Sequence, residues 1–436
     1  MILRLSTAAE RLVILAGAVL LTLAICFFGI RSAWAAHSAA LGTVAGLERA
    51  TRLEPGNAEY WYLLGRYWQF NLESPDSAKA IAAYRNSLSF DPRSAGTYID
   101  LATAYEGIDD IPHARENFVK AKKAYPLSAE VSWRVGNFYL RQGEMDQAFE
   151  QIRAAVEADP GRGAEAFSRC LRVEPNIKTV LDRAVPDNPS VYLDIIRDLA
   201  DEGRTTEVLI VWDRLVAMNP SVSLNESYPI IALLRNQKEF IEAARVWRQS
   251  VKLADMDQLG DPPASVVWDG GFESTFHNSG YAWYFAQNSH GVQIQLDPKE
   301  KHSGQQSLRL TFDGTSDVSF EDVCHSVPVL PLSNYKFSAW VRTRELTSDQ
   351  GIRFRLQASG HSYSPVFTSE LHGTNGWTEI TLPWNSEADS YEAQICVVRL
   401  PSDQPDNRIR GAAWVDDVAL IPQPAPVAGR LGSARP

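Results

Sequence analysis

The sequence predicts a multidomain chain: an all-α helical-repeat solenoid, then an all-β sandwich, preceded by one transmembrane helix. Three observations predict it. Pro92, Pro126 and Pro160 recur at intervals of 34 residues. The hydrophobic period changes from helical to alternating after a Pro/Gly-containing stretch at 255–265. Near the N-terminus a run of 19 residues carries no charge. At 436 residues the chain also exceeds what one hydrophobic core serves, so two or more domains are expected.

The uncharged run, Leu12 to Ile30, is long enough to cross a hydrocarbon core of roughly 30 Å as a helix. Arg4 and Arg11 precede it and Arg31 follows it, a bias that keeps the N-terminus in the cytoplasm. The segment 1–35 is therefore read as a single-pass anchor with its membrane helix at 12–30. The alternative is a cleaved signal peptide, because Ala33-Trp34-Ala35 resembles a small-x-small cleavage site. The apolar run is longer than a signal core and ends on an arginine, which favours the anchor. Either reading carries the bulk of the chain out of the cytoplasm, into a bacterial periplasm or, after cleavage, beyond the cell.

Residues 42–254 carry the helical repeats, clear over 58–160 and degenerate over 161–254. Ala114 and Ala148, Tyr105 and Tyr139, and Ala121 and Ala155 keep the interval of the prolines. The first unit supplies Trp61, Leu64, Gly65, Trp68, Ala80, Tyr84, Leu88 and Pro92. The second has Tyr98, Leu101, Ala102, Tyr105, Ala114, Phe118, Ala121 and Pro126. The third has Trp133, Val135, Gly136, Tyr139, Ala148, Ile152, Ala155 and Pro160. Half a unit precedes them, ending at Ala50 and Pro55. This period and choice of residues resembles the tetratricopeptide repeat. Gly65, Ala102 and Gly136 would let helix backbones approach, and each proline would stop a helix. The resemblance implies a curved array whose inner surface holds a protein partner. A known version clamps a C-terminal carboxylate with lysines and asparagines; here the aligned inner positions carry Arg66, Thr103 and Asn137, so that clamp is not reproduced. Beyond 160, Tyr192, Ile195, Leu199, Val208, Trp212 and Pro220 fit one degenerate unit, and a further pair holds Ala243 and Trp247. The stretch around Pro175, Pro186 and Pro189 predicts helices without assignable repeats.

After the linker at 255–265, the runs SLRLTF, KFSAWVRT, IRFRLQA, WTEITLPW, AQICVVRL and AWVDDVALI read as strands of a sandwich over 266–422. The segments DGGFES (269–274), HSGQQSLRLTF (302–312), YKFSAWVRT (335–343), GWTEITL (376–382) and AWVDDVAL (413–420) resemble carbohydrate-binding modules of the galactose-binding-like jelly-roll type. That resemblance implies two sites. One is a structural calcium between first and last strands, with Glu273 and Asp417 as its carboxylates and Asp416 as runner-up. The other is a sugar platform, for which Trp283, Trp340 and Trp384 are the candidate stacking faces and Arg342 the donor beside Trp340. Core tryptophans would fit the same pattern. Cys324 and Cys396 could form a disulfide in an oxidising periplasm; a jelly roll, however, is expected to place their strands on opposite sheets about 10 Å apart, against about 7 Å for bridged Cα atoms, which favours buried free thiols. The last residues, 423–436, are Pro/Gly/Ala-rich and expected to be disordered.

A net charge of −11 argues against nucleic acid as a partner. The four cysteines share no CxxC or Cys/His metal spacing, and the histidines are scattered singly. No nucleophile elbow, phosphate-cradling loop or HExxH pattern is present, and the adjacent Asp416 and Asp417 would point to opposite faces of a strand. The expectation is a non-catalytic scaffold that requires no cofactor, binds a protein through the repeats, and serves envelope polysaccharide assembly or export. The alternatives are a glycan-binding protein acting through the sandwich and an accessory subunit of an envelope enzyme.

Overall fold

The computed structural model describes residues 7–257, 259, 261–286, 290–359, 364–405 and 407–424. His361 and most of the expected tail, from residue 425 on, lie outside them. The chain divides into two compact units, Met1–Val191 and Tyr192–Pro436.

The first unit is helical among its described residues. It begins with α1 (Ala8–Ala40), among the described residues the one helix long and apolar enough to cross a membrane by length and composition. α1 extends past the segment 12–30 that is expected to span the membrane. It runs unbroken to Ala40, and its last turns become the first helix of the array. Ala35 and Ser38 are buried there, against α2 (Val44–Leu53), whose Gly46 lies so close that a Cβ would fall 2.3 Å from the Ser38 carbonyl oxygen.

The clear repeats follow as three antiparallel pairs: α3 (Ala58–Phe70) with α4 (Ser77–Phe90), α5 (Ala95–Glu106) with α6 (Ile111–Ala124), and α7 (Ala129–Gln142) with α8 (Met145–Ala158). Capping residues start most of them: Asn57, Asp76, Ser94, Asp110 and Ser128 each accept a backbone N–H of the first turn. Asp91, Tyr125 and Asp159 end the second helices, each immediately before a repeat proline, whose ring disfavours helix in the residue ahead of it. A fourth pair, α9 (Gly163–Leu171) and α10 (Ile177–Ala184), occupies the stretch that carries no legible repeat. Tyr84, Tyr105 and Trp133 are buried, whereas Trp61 and Tyr139 are half-buried.

The second unit opens with α11 (Pro189–Asp201, from Tyr192 on), α12 (Thr205–Ala217), α13 (Tyr228–Asn236) and α14 (Phe240–Leu253). Ten strands follow: β1 (Trp283–Phe285), β2 (Val292–Asp297), β3 (Ser307–Asp313), β4 (Phe320–Pro328), β5 (Asn334–Leu346), β6 (Arg353–Ala358), β7 (Val366–Phe367), β8 (Gly373–Asn385), β9 (Glu392–Arg399) and β10 (Arg410–Gln423). They form two antiparallel five-stranded sheets, a front sheet β1-β4-β9-β6-β7 and a back sheet β2-β3-β10-β5-β8. Inward residues such as Leu310, Phe337, Phe354, Ile395 and Val415 fill the space between them.

The stretch 255–265 does not separate two independent bodies. The Asp261 carboxylate accepts the backbone N–H groups of Asp269 (2.6 Å) and Gly270 (2.7 Å), pinning that stretch to the sandwich. The hairpin α13–α14 packs on the sandwich as well. Trp247 of α14 meets Trp268 and Tyr281 edge-on, with ring centroids 5.3 and 6.2 Å apart. Gly280, at φ +63°, lies so near Trp247 that a Cβ would fall 2.5 Å from its ring. Arg235 of α13 donates to both carboxylate oxygens of buried Glu392 (2.7 and 2.9 Å).

At Gly65 a Cβ would fall 2.5 Å from the ring of Tyr84, which is wholly buried, whereas at Gly96 it would meet nothing within 4 Å. Gly65→Ala should therefore destabilise the array by about 1–3 kcal/mol. Gly96→Ala should be neutral or stabilising by up to about 1 kcal/mol. Denaturant titration of the purified chain checks both; equal effects would contradict this packing.

Candidate functional sites

In the first unit, α5, α7 and α9 border a groove of about 760 Å³. Thr103 and Asn137, anticipated as inner-surface residues, both line it. Arg66 does not. It sits on α3, donating to the Tyr62 hydroxyl (3.3 Å) and lying 4.0 Å from the Asp100 carboxylate. The groove's centre is Trp133, covered by the guanidinium groups of Arg162 and Arg169 at 5.5 and 5.2 Å from its ring centroid. Its burial thus comes from stacked cations at the groove as well as from repeat packing.

The groove lining carries Arg134, Arg141, Arg162 and Arg169 against Glu106 and Glu130, a local cationic excess on an acidic chain. Arg141 forks onto Glu106 (2.7 and 2.8 Å), and Glu130 receives Arg134 (2.7 Å) and Arg162 (3.0 Å). The bond from Arg134, reinforced by Arg162, holds the Glu130 carboxyl below its usual range. Arg169 donates to Asn137 Oδ1 (3.0 Å). These planar, preorganised donors suit carboxylate-bearing ligands.

On the sandwich the four platform candidates are not brought together. Trp283 and Trp384 are 2% and 5% exposed and belong to the core, so neither offers a face to a sugar. Strand alternation turns both inward, and Trp283 Nε1 donates to the Asp269 carbonyl inside the fold (2.9 Å). Trp340 and Arg342 do share the outer face of the back sheet. One face of Trp340 is taken by the His302 ring, stacked at 3.9 Å, and Arg342 pairs with Glu300 at 3.5 Å.

The outer face of the front sheet presents a different set. Strand register places Tyr284, Cys324, Cys396, Arg355 and Phe367 in one row across five strands. Tyr284 is 53% exposed and Phe367 36%. Between these aromatics Arg355 donates to Gln394 Oε1 (2.7 Å) and to Gln357, and pairs with Glu321. Aromatic faces with planar polar groups between them are the ingredients of a saccharide surface. The alternation of Arg353, Arg355 and Gln357 in the run IRFRLQA is the sequence signal for this face.

The cysteine expectation is corrected by the same register. Cys324 and Cys396 face each other on neighbouring strands of one sheet, not on opposite sheets, with Cα atoms 4.1 Å apart and a disulfide between them. Cys170 is buried, which pushes its thiol up to about 12, and Cys26 is exposed.

At the junction of first turn and last strand, five carboxylates gather: Asp261, Asp269, Glu273, Asp416 and Asp417. They are hard donors of the kind calcium takes. However, both oxygens of Glu273 accept the Gln305 N–H (2.8 and 2.9 Å), and Asp417 is occupied by His302 Nδ1 and Ser303 Oγ at 2.6 Å each. The oxygens of Glu273 and Asp417 are thus engaged by protein donors. Asp416 stands nearer to Glu273: one oxygen of each lies 3.7 Å from the place a Gly271 Cβ would take. Among the described residues, the three-residue group with ligand atoms converging within 4.8 Å is Glu321, Cys324 and Cys396, and its two sulfurs are already joined.

Burial pushes the Asp269 and Asp416 carboxyls up to about 6, and Asp417 adds to the effect on Asp416. A folded pKa above the unfolded one means that the native state holds the extra proton between roughly pH 4 and 6, so stability falls as pH rises through that window. Asp416→Asn removes that titration. Wild-type stability relative to this variant should decline from pH 4 to 7, as read by denaturant unfolding at each pH; a constant difference would count against a raised Asp416.

A model for a carbohydrate-binding domain matches residues 264–404, and a tetratricopeptide-repeat model matches residues 99–163. The general transcriptional corepressor ssn6 of Schizosaccharomyces pombe is 27% identical over 175 residues, covering 33% of this chain and 16% of that protein. Tetratricopeptide repeat protein 37 of Xenopus laevis is 26% identical over 216 residues, 47% of this chain and 14% of that one. The chain thus spans about one-sixth of the length of these relatives. Among solved structures, a xylan-binding domain of the CBM 22 type aligns at 15% identity with a TM-score of 0.27, covering 37% of this chain and 97% of that domain. The chain carries tetratricopeptide repeats and a carbohydrate-binding domain behind one long apolar helix.

Proposed function

We propose that this chain is a membrane-tethered, non-catalytic scaffold that grips a protein partner in the groove of its repeats and serves envelope polysaccharide assembly or export. The arginine-lined groove around Trp133 carries the reading, because it is a preorganised polar surface of the size a peptide segment needs. The reading needs no cofactor and assigns no reaction to the chain. A periplasmic site for the bulk of the protein is supported by the Cys324–Cys396 disulfide, which persists in oxidising compartments. Tethering is supported by α1, since cleavage after Ala35 would cut a helix whose end packs on α2. The exposed rings of Tyr284 and Phe367 at the two ends of that row favour a second, compatible reading: the sandwich holds glycan, so that the scaffold joins a protein to a saccharide.

Two measurements test this. After expression in a secretion-competent cell the chain should retain its full mass; loss of about thirty residues would remove the tether. Capture of membrane proteins by the detergent-solubilised chain should fall at least about tenfold when Arg134→Glu and Arg141→Glu are combined, and should weaken with salt. Trp340→Ala should leave it unchanged. Capture indifferent to the charge reversal would exclude the groove.

A further inference from the structure

The second unit holds a cleft of about 690 Å³ that belongs neither to the sandwich nor to the helices alone. Ala232 and Arg235 of α13 line one side. Tyr284, Glu321, Ser326 and Gln394 of the front sheet line the floor and the other side. The helix is held there by bonds at several points. Arg235 forks onto buried Glu392, reaches Ser326 Oγ at 3.1 Å, and donates to the Gly280 carbonyl at 3.2 Å. Its own hairpin is wedged by Trp247 against Gly280, where no side chain fits. The wall is therefore tied to the sheet and to the turn before β1 through Arg235.

The wall stands over the end of β4 and the start of β9, where Ser326 and Glu392 lie. A ligand running along the strands in that direction would collide with it. A ligand running across them would span the exposed rings of Tyr284 and Phe367, passing over Arg355, whose side chain is 11% exposed, and over the buried Cys396. Four strand steps separate the two aromatics, about 19 Å at the usual inter-strand spacing. That is the footprint of a short oligomer with apolar faces and abundant hydroxyls, stacked at its ends and hydrogen-bonded between.

The geometry points to a composite saccharide site, in which a polysaccharide segment lies across the front sheet and α13, a helix of the repeat region, supplies one wall. This rests on the reading that the sandwich holds glycan. It goes further in making the last helical hairpin part of the sugar site, and in setting the direction of the chain.

Affinity electrophoresis of the full chain in detergent, through gels containing soluble xylan, mixed-linkage β-glucan or dextran, tests it. Wild type should be retarded by at least one of the three. Tyr284→Ala should weaken that retardation at least about tenfold, and so should Ala232→Trp, which fills the cleft from an exposed helix position. Ala232→Gln, a milder change, should weaken it in the same direction, and Trp340→Ala should not. Thermal unfolding of each variant shows that its fold is retained. If Tyr284→Ala loses binding while both Ala232 variants bind as wild type, the helical wall is overturned and the glycan reading stands. If none of the three polymers retards wild type, or if Tyr284→Ala binds normally, both fall.

Discussion

The seating of the last helical hairpin on the sandwich turns on one half-buried ion pair. Arg235 brings a guanidinium to a carboxylate that is almost wholly out of water, and Glu392 satisfies it with both oxygens. Such a pair gains little net stability over an apolar contact, but leaving the buried Glu392 carboxylate alone in that place costs several kcal/mol, whereas Arg235 keeps part of its side chain in water. The pair thus selects one seating of the α13–α14 hairpin rather than merely favouring contact. The Trp247–Trp268–Tyr281 cluster supplies the apolar area, and Asp261 ties down the intervening stretch through two backbone amides. Together they turn what reads as a linker between domains into a seam within one compact body.

The repeats obey a different constraint. Their helices approach so closely at Gly65 and Gly136 that a methyl group would overlap the Tyr84 ring or Ile152. Close packing fixes the first helices side by side and brings residues one repeat apart in sequence, such as Thr103 and Asn137, onto one surface. The arginines on that surface are already hydrogen-bonded to glutamates and to Asn137, so a ligand meets an ordered array of forks rather than flexible charges. Binding to such a surface loses little side-chain entropy.

Much of this architecture was legible. The repeat period, the prolines, the small residues at contact points and six of the strands all appear as local patterns with a physical cause. β1, β4 and β7 did not, since they are short or interrupted by residues such as Asp322 and His325, whereas β2, VQIQLD, alternates as cleanly as β6 and lies outside the six runs. His325 shows why pattern fails there: it is wholly buried, burial pushes it down to about 4, and its Nε2 is satisfied by the Trp268 carbonyl 57 positions away. The tryptophans misled for a related reason. Trp283 and Trp340 are equally apolar on paper, and only sheet position sends one into the core and leaves the other stacked under His302.

Periodicity and composition were enough to establish a helical array, a β-sandwich and an apolar N-terminal helix, because helix and strand formation are short-range and leave a period in the chain. The pairing of Cys324 with Cys396, the engagement of Asp417 by His302 and Ser303, the unbroken run of α1 into the array and the cleft beneath α13 were decided by tertiary structure. Each joins residues or segments through packing and strand register, and contacts of that kind leave no trace in local order.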